Sequence, residues 1–385
     1  MNQIGYCIDL LRQLVAIPSS SQNEEEIACF LRDFLRSELG MEANIQHAGG
    51  KSYNVRGQLI RERAARRLML GGHIDTVPPT DRWDTDPYCL EIRDDHICGL
   101  GAGDMKGGLA AQLTVLYMLR ASKIELDCDV EFLGLADEER YSIGANAYVE
   151  EREKEGPFDQ STFFIMAEPH YDNIVVGATG KVLYRVDIYG EGGHASTPER
   201  GVNAVDCMAE FLTHVNRTFT QEYMQGRRAS HCCLHVESCE HGYSLNIPEH
   251  CFCLLNKQFS PEEDSESFSE ELKQLYQNNV HRGNIAVTRQ IPSYPSYRLP
   301  SGQRDVSALV SFLSRQFHHT PELRVNQSVS DGNILYHYLG IPTILYGPQG
   351  VDFHTEREHL LKSSLIAYIE QLYQYLIARY SRGSK

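Results

Sequence analysis

The sequence predicts an α/β protein: a mostly parallel, mixed sheet interrupted by an inserted α+β segment. Three observations carry this. Short apolar strands alternate with amphipathic helices through the first half; between about 181 and 290 the order becomes strand, helix, strand, strand, helix, strand; and after the Pro-rich stretch IPSYPSYRLP (291–300) the alternation resumes. A chain of 385 residues is long enough for two domains and a large core.

In order, Ile4, Ile8, Leu11 and Val15 fall at helical spacing, and a second helix over 23–38 leads to strands at 42–48 and 53–60. Leu68-Met69-Leu70 forms the next strand, followed by a long loop and a helix with Leu109, Leu113 and Leu116 on one face. Strand 128–135, a helix near 142–153 and strand 161–167 complete the first part. The inserted segment reads as strand 182–189, a helix over 203–217 and strands near 232–237 and 251–257. A helix is then expected to open at Ser260, with Pro261 at the first helical position and Glu263 completing a capping box. With a last strand from Asn284 to Thr288, this is a split βαβ, ferredoxin-like unit. Beyond it come a helix over 304–316, a short helix near 333–338, a strand at Thr343-Ile344-Leu345 and a C-terminal helix carrying Leu361, Leu365, Ile369, Leu372 and Leu376.

Composition narrows the function. With 36 Lys+Arg against 52 Asp+Glu, the formal charge is -16, and no basic block exists to neutralise phosphates, so nucleic acid is not an expected partner. No stretch approaches the ~18 apolar residues of a membrane span, and the start lacks the basic region of an export signal. A soluble, cytoplasmic protein is expected. The eleven cysteines form no CxxC pair and read as reduced, mostly buried thiols. Cys232, Cys233, Cys239, Cys251 and Cys253 interleave with His231, His235, His241 and His250, but their spacing fits no zinc finger or ribbon.

In parallel α/β sheets, ligands bind beyond the carboxyl ends of the strands. Here those ends carry ionisable groups: His73 and Asp75 after Leu68-Met69-Leu70, Asp137-Glu138-Glu139 after 128–135, and Glu168 after 161–167. Asp104, in GLGAGDMKGG, sits where it would cap the following helix. Apolar strands that end repeatedly in carboxylates create repulsion that a cation relieves, which points to a metal cluster. A phosphate cradle is excluded, because GLGAGDMKGG has no GK[ST].

These motifs resemble the M20 family of zinc aminoacylases and peptidases, which includes acetylornithine deacetylase and succinyl-diaminopimelate desuccinylase. The resemblance runs in order through GGHIDTVP (71–78), Trp83 with Asp86-Pro87-Tyr88, GLGAGDMKGG (99–108), ADEER (136–140), AEP (167–169), GGHASTPERGVNA (192–204), SDG (330–332) and GPQGVDFHTEREHL (347–360). It implies a catalytic zinc domain over 1–180 and 291–385, with a lid and dimerisation domain over 181–290. It also implies two Zn²⁺, with Co²⁺ or Mn²⁺ as substitutes. His73 and Glu168 would bind one ion, Glu139 and His354 the other, and Asp104 would bridge them. By the same resemblance Asp75 would orient His73, Glu138 would be the general base and acid, and His194 would donate to the oxyanion, from this chain or a partner's. Asn203, Gln258 and Gly332 fall at positions implied to meet the substrate.

Two departures stand out. The family's carboxylate-gripping Arg, ten residues after the Ile-Pro proline, is here Gln258, and a neutral amide cannot fork onto a carboxylate as Arg does. Lys257 and Arg282 are the candidate replacements. The asparagine usual before Ile-Pro stands one position late, as Asn246. The expected activity is removal of a short acyl group from an N-acyl amino acid or related amine by a homodimer. Hydrolysis of a dipeptide or other short peptide is the alternative, and a non-catalytic binding protein the remote one.

Overall fold

The computed structural model describes residues 3–62, 64–158, 161–238 and 245–381. Cys239 and His241 of the cysteine–histidine cluster lie outside the described residues. The chain divides into two compact units. One comprises the chain up to Gly177, Arg298–Asn326 and the chain from Ser330; the other comprises Ala178–Tyr297 with Gln327–Val329.

In the first unit the large sheet runs in the order Glu42–Gly49, Ser52–Leu59, Asp129–Leu135, Arg66–His73, Ser161–Met166, Thr343–Leu345, Asn173–Ala178. The four strands from Asp129–Leu135 to Thr343–Leu345 are parallel, and the outer pairs are antiparallel. The expected mixed α/β sheet is therefore present. The parallel strands are covered on both sides, so Asp129–Leu135 is buried at every position rather than at alternate ones. Helix Gly107–Ala121 is likewise buried on nearly all sides, beyond the single face that Leu109, Leu113 and Leu116 define. Its first turn lies against Ala167, just past strand Ser161–Met166: a Cβ on Gly108 would stand 2.0 Å from that residue's carbonyl oxygen. That close approach is open only to glycine.

A second, four-stranded sheet joins Glu91–Arg93, His96–Cys98, Gly350–Val351 and His359–Leu361. Its strands Glu91–Arg93 and His96–Cys98 lie where a long loop was expected, and Leu361, expected in the C-terminal helix, ends its strand His359–Leu361, that helix starting at Lys362. Two- and three-residue strands carry no readable alternation, and these are created by pairing residues some 260 apart in sequence, such as Cys98 with His359. Strands Asn173–Ala178 and Glu322–Asn326 were also unexpected.

The second unit orders strand Gly180–Tyr189, helix Ala204–Met224, strands His231–Ser238 and His250–Phe259, helix Phe268–Asn279 and strand Asn284–Tyr294. Its sheet is antiparallel, in the order His231–Ser238, His250–Phe259, Gly180–Tyr189, Asn284–Tyr294. The core includes Tyr184, Phe211, Phe219, Leu255, Phe268 and Tyr276. Two expectations fail here. The helix expected at Ser260 begins at Phe268, because the Glu263 carboxylate serves a turn: it accepts from the amides of Ser260 (2.7 Å) and Ala229 (2.9 Å) and pairs with the Lys257 ammonium at 3.0 Å. The last strand also continues past Thr288 to Tyr294, its pairing broken between Gln290 and Ser293 around Pro292, as an edge strand tolerates.

Candidate metal centre

Three parallel strands deliver the first unit's ionisable groups to one place. Arg66–His73 ends in His73, Asp129–Leu135 leads into Glu138 and Glu139, and Ser161–Met166 leads into Glu168. Asp104 comes from the turn Ala102–Lys106. It does not cap the next helix, which starts at Gly107; its backbone is extended (φ -125°, ψ 98°) and its side chain turns to His73. Glu358, 2% exposed, accepts from the amides of Gly103 and Asp104, both at 3.0 Å, and so holds that turn.

The five expected ligands meet. His73 Nε2 is 3.0 Å from Asp104 Oδ1 and 3.9 Å from Glu168 Oε1. His354 Nε2 is 3.0 Å from Glu139 Oε2 and 3.7 Å from Asp104 Oδ2. The two oxygens of Asp104 therefore face two different imidazoles, each beside its own glutamate. Among the described residues, His73, Asp104 and Glu139 bring one ligand atom each within 4.8 Å of one another.

The electrostatics fit cations at this point. Burial, followed by the charge of Asp104, pushes the Glu168 carboxyl up to about 8. Burial likewise holds Glu138 well above the usual carboxylate range; His73 opposes this, while Glu168, Asp331 and Glu139 add to it. For His73 burial acts downward, but its bonds to Asp104 and Asp75 and the charge of Glu168 carry it well above the ordinary imidazole value. Asp104 is lowered despite its burial by the hydrogen bond from His73. Carboxylates that cannot all ionise together, set among imidazoles, are the donor set that two borderline divalent cations would hold ionised.

Asp75 acts through atoms other than those expected. His73 Nδ1 is 3.0 Å from the Asp75 carbonyl oxygen and 3.6 Å from its carboxylate. The carboxylate instead accepts from the amides of Glu138 (3.1 Å) and Glu139 (3.2 Å) and from the Ser21 hydroxyl (2.7 Å).

The remaining expected residues are placed as follows. His194 is exposed in the second unit, its Nδ1 accepting from the Ser196 amide at 3.1 Å. Asn203 caps helix Ala204–Met224, accepting from the amides of Val205 (2.9 Å) and Asp206 (3.4 Å). Gln258 accepts from the Ser230 hydroxyl at 3.2 Å. Gly332, in the first turn of helix Asp331–Leu339, is buried and donates its amide to Ser330 Oγ at 3.2 Å. Neither candidate replacement for the missing arginine is free. Lys257 is 0% exposed and bound to Glu263 and the carbonyl of Ala229, and Arg282 pairs with Glu210 at 2.7 Å.

Sequence reasoning missed Glu358, Ser21 and Lys106. The Lys106 ammonium is buried and donates to the carbonyls of Leu14 and Ile17, both at 2.9 Å; burial pulls it down to about 7 against the charges of Glu358 and Asp75. It also missed His170, two residues after Glu168 and within the field of Asp104. No local pattern marks these residues, since each acts on a partner remote in sequence.

Comparison with known proteins agrees with this geometry. An acetylornithine deacetylase of Photorhabdus laumondii is 27% identical, with 96% of each chain covered. A tripeptidase from Staphylococcus aureus has the same fold, with a TM-score of 0.79 at 21% identity and 97% of each chain covered. An aminopeptidase from Bacillus cereus follows at 0.78, 20% and 98% of each. The family description "Peptidase family M20/M25/M40" matches residues 69–378. With its imidazoles and carboxylates gathered around Asp104, the chain belongs to this family and is a metal-dependent hydrolase.

Proposed function

We propose that the protein is a dinuclear zinc amidohydrolase that removes a short acyl group from an N-acyl amino acid or related amine, in the manner of acetylornithine deacetylase. The observation that carries this reading is the position of Asp104 between His73 with Glu168 and His354 with Glu139. Two zinc ions held there would supply Lewis acidity and lower the pKa of a water from about 16 toward 7.

The chain's own groups supply the rest. Glu138, adjacent to Glu139 but not itself a ligand, takes the proton of the attacking water and returns it to the departing amine. His194 donates to the developing oxyanion. Because its Nδ1 accepts from the Ser196 amide, the neutral ring carries its proton on Nε2, the form that donates there. In the same reading the second unit serves as lid and homodimer contact, the protein is cytoplasmic, and Gln258, Asn203 and Gly332 border the substrate.

The similarity to a tripeptidase and an aminopeptidase favours a second reading, hydrolysis of short peptides by the same groups. Pocket shape alone separates the two. Initial rates on N-acetyl amino acids and on di- and tripeptides, measured side by side with zinc-loaded protein, decide between them: the primary reading expects the highest kcat/KM on an N-acyl amino acid. Faster turnover of peptides across the panel would replace it with the second.

A further inference from the structure

We infer that the outer face of the small sheet is a separate site for a borderline-soft divalent cation, zinc foremost, with Cys98, His359 and His96 as its ligands. Cys98 pairs directly with His359 on one side and with Glu91 on the other. His96 lies two residues along the same strand. Side chains alternate across a sheet, so Ile97 and Leu360, both 0% exposed, point inward, and Cys98, His359, His96 and Glu91 share the outward face. Directly opposed residues have Cβ atoms about 4.5–5.5 Å apart. The diagonal pair is also in contact, with the His96 and His359 ring centroids 4.3 Å apart.

The tautomer of His359 suits a ligand. Its Nδ1 lies 2.8 Å from the Arg357 carbonyl oxygen, which can only accept, so Nδ1 holds the proton and Nε2 presents its lone pair. A carbonyl bonded to the far ring nitrogen is the outer support that metal-binding imidazoles usually have. One thiol and two imidazoles select zinc, cobalt or nickel over calcium and magnesium. The Glu91 carboxylate beside Cys98, now paired with Arg93, is a fourth donor within reach. These donor atoms do not yet stand within 4.8 Å of one another, so the site closes around its ion. The exposed His96 ring completes it by turning about its two side-chain torsions. Binding there is accordingly weaker than at the candidate centre, whose donors already converge.

This site contains sulfur and the candidate centre contains none, so cobalt distinguishes them whatever reaction the protein catalyses. Purified protein stripped of metal and reloaded with only the two equivalents of Zn²⁺ that fill the tighter candidate centre is titrated with Co²⁺, and the near-ultraviolet absorption and the metal bound per chain are recorded. The expected result is one further equivalent of metal with a thiolate-to-cobalt charge-transfer band. Cys98→Ser abolishes the band and that equivalent, and His359→Ala weakens cobalt binding at least tenfold, both with unchanged circular dichroism. Absence of the band in the parent protein overturns the inference. So does a band that survives Cys98→Ser, since another thiol would then be the ligand.

Discussion

The Asp75 carboxylate accepts the backbone amide of Glu138 at 3.1 Å, and its second oxygen accepts that of Glu139 at 3.2 Å. A side chain at the end of one strand thus fixes the backbone of the two glutamates at the end of its neighbour. Asp75→Asn turns an NH₂ toward one of these donors. It should cut kcat or metal affinity about 10–100-fold, as loss of a support behind metal ligands typically does, while the circular dichroism stays native. Ser21→Ala, which removes one of the three donors, should have a smaller effect. Wild-type kcat and metal content in Asp75→Asn would remove this role.

Glu138 and His194 should affect turnover without affecting the metals. Glu138→Gln is expected to lower kcat about 10²–10⁴-fold and His194→Ala about 10²–10³-fold, each with the parent's zinc content by elemental analysis. Asp104→Ala should lose both metal and activity. If Glu138→Gln turned over near the parent rate, another group would be the base.

Glu358 supports the Asp104 turn through two amides. Glu358→Ala leaves both amides buried without an acceptor, at about 1–3 kcal/mol each, so zinc affinity and thermal midpoint should both fall. Glu358→Gln, which keeps one acceptor oxygen, should recover part of each. Equal zinc affinity in all three proteins would show that the turn holds itself.

The second unit should have an acid-sensitive turn. Burial acts to raise the Glu263 carboxyl, but the amides of Ser260 and Ala229 and the Lys257 ammonium outweigh it, and its pKa is lowered from 4.5. A carboxyl lowered in the folded state contributes fully above its unfolded value, and that contribution disappears as pH falls through the folded one. Glu263→Gln should therefore lower the urea midpoint clearly at pH 7, and the gap to the parent should narrow as pH drops below 4.5. A gap that stays constant with pH would show that the carboxylate's charge has no part in it.

Legibility in the sequence followed the range of the interactions. The parallel strands and the helices around them were readable because each carries its own apolar pattern, as in 128–135; of the expected ligands, strand ends located His73, Glu139 and Glu168, whereas the roles of Asp104 and His354 came from the family resemblance. The sheet that pairs His96–Cys98 with His359–Leu361 was not readable, since neither segment forms a strand without the other. The same holds for Glu263, whose capping-box pattern was real but was used by the amide of Ala229 and by Lys257, on a neighbouring segment. Asp75 was found by its spacing from His73, yet its hydrogen bonds to Glu138 and Glu139 depend on a strand pairing that spacing does not reveal.

Anomalous diffraction at the zinc edge, from crystals of the zinc-loaded protein, tests the proposed centre most directly. At this centre the account predicts two peaks roughly 3.5–4 Å apart with Asp104 between them, one beside His73 and Glu168 and the other beside Glu139 and His354. A single peak with Asp104 outside its coordination sphere, or no peak among these five residues, would contradict it.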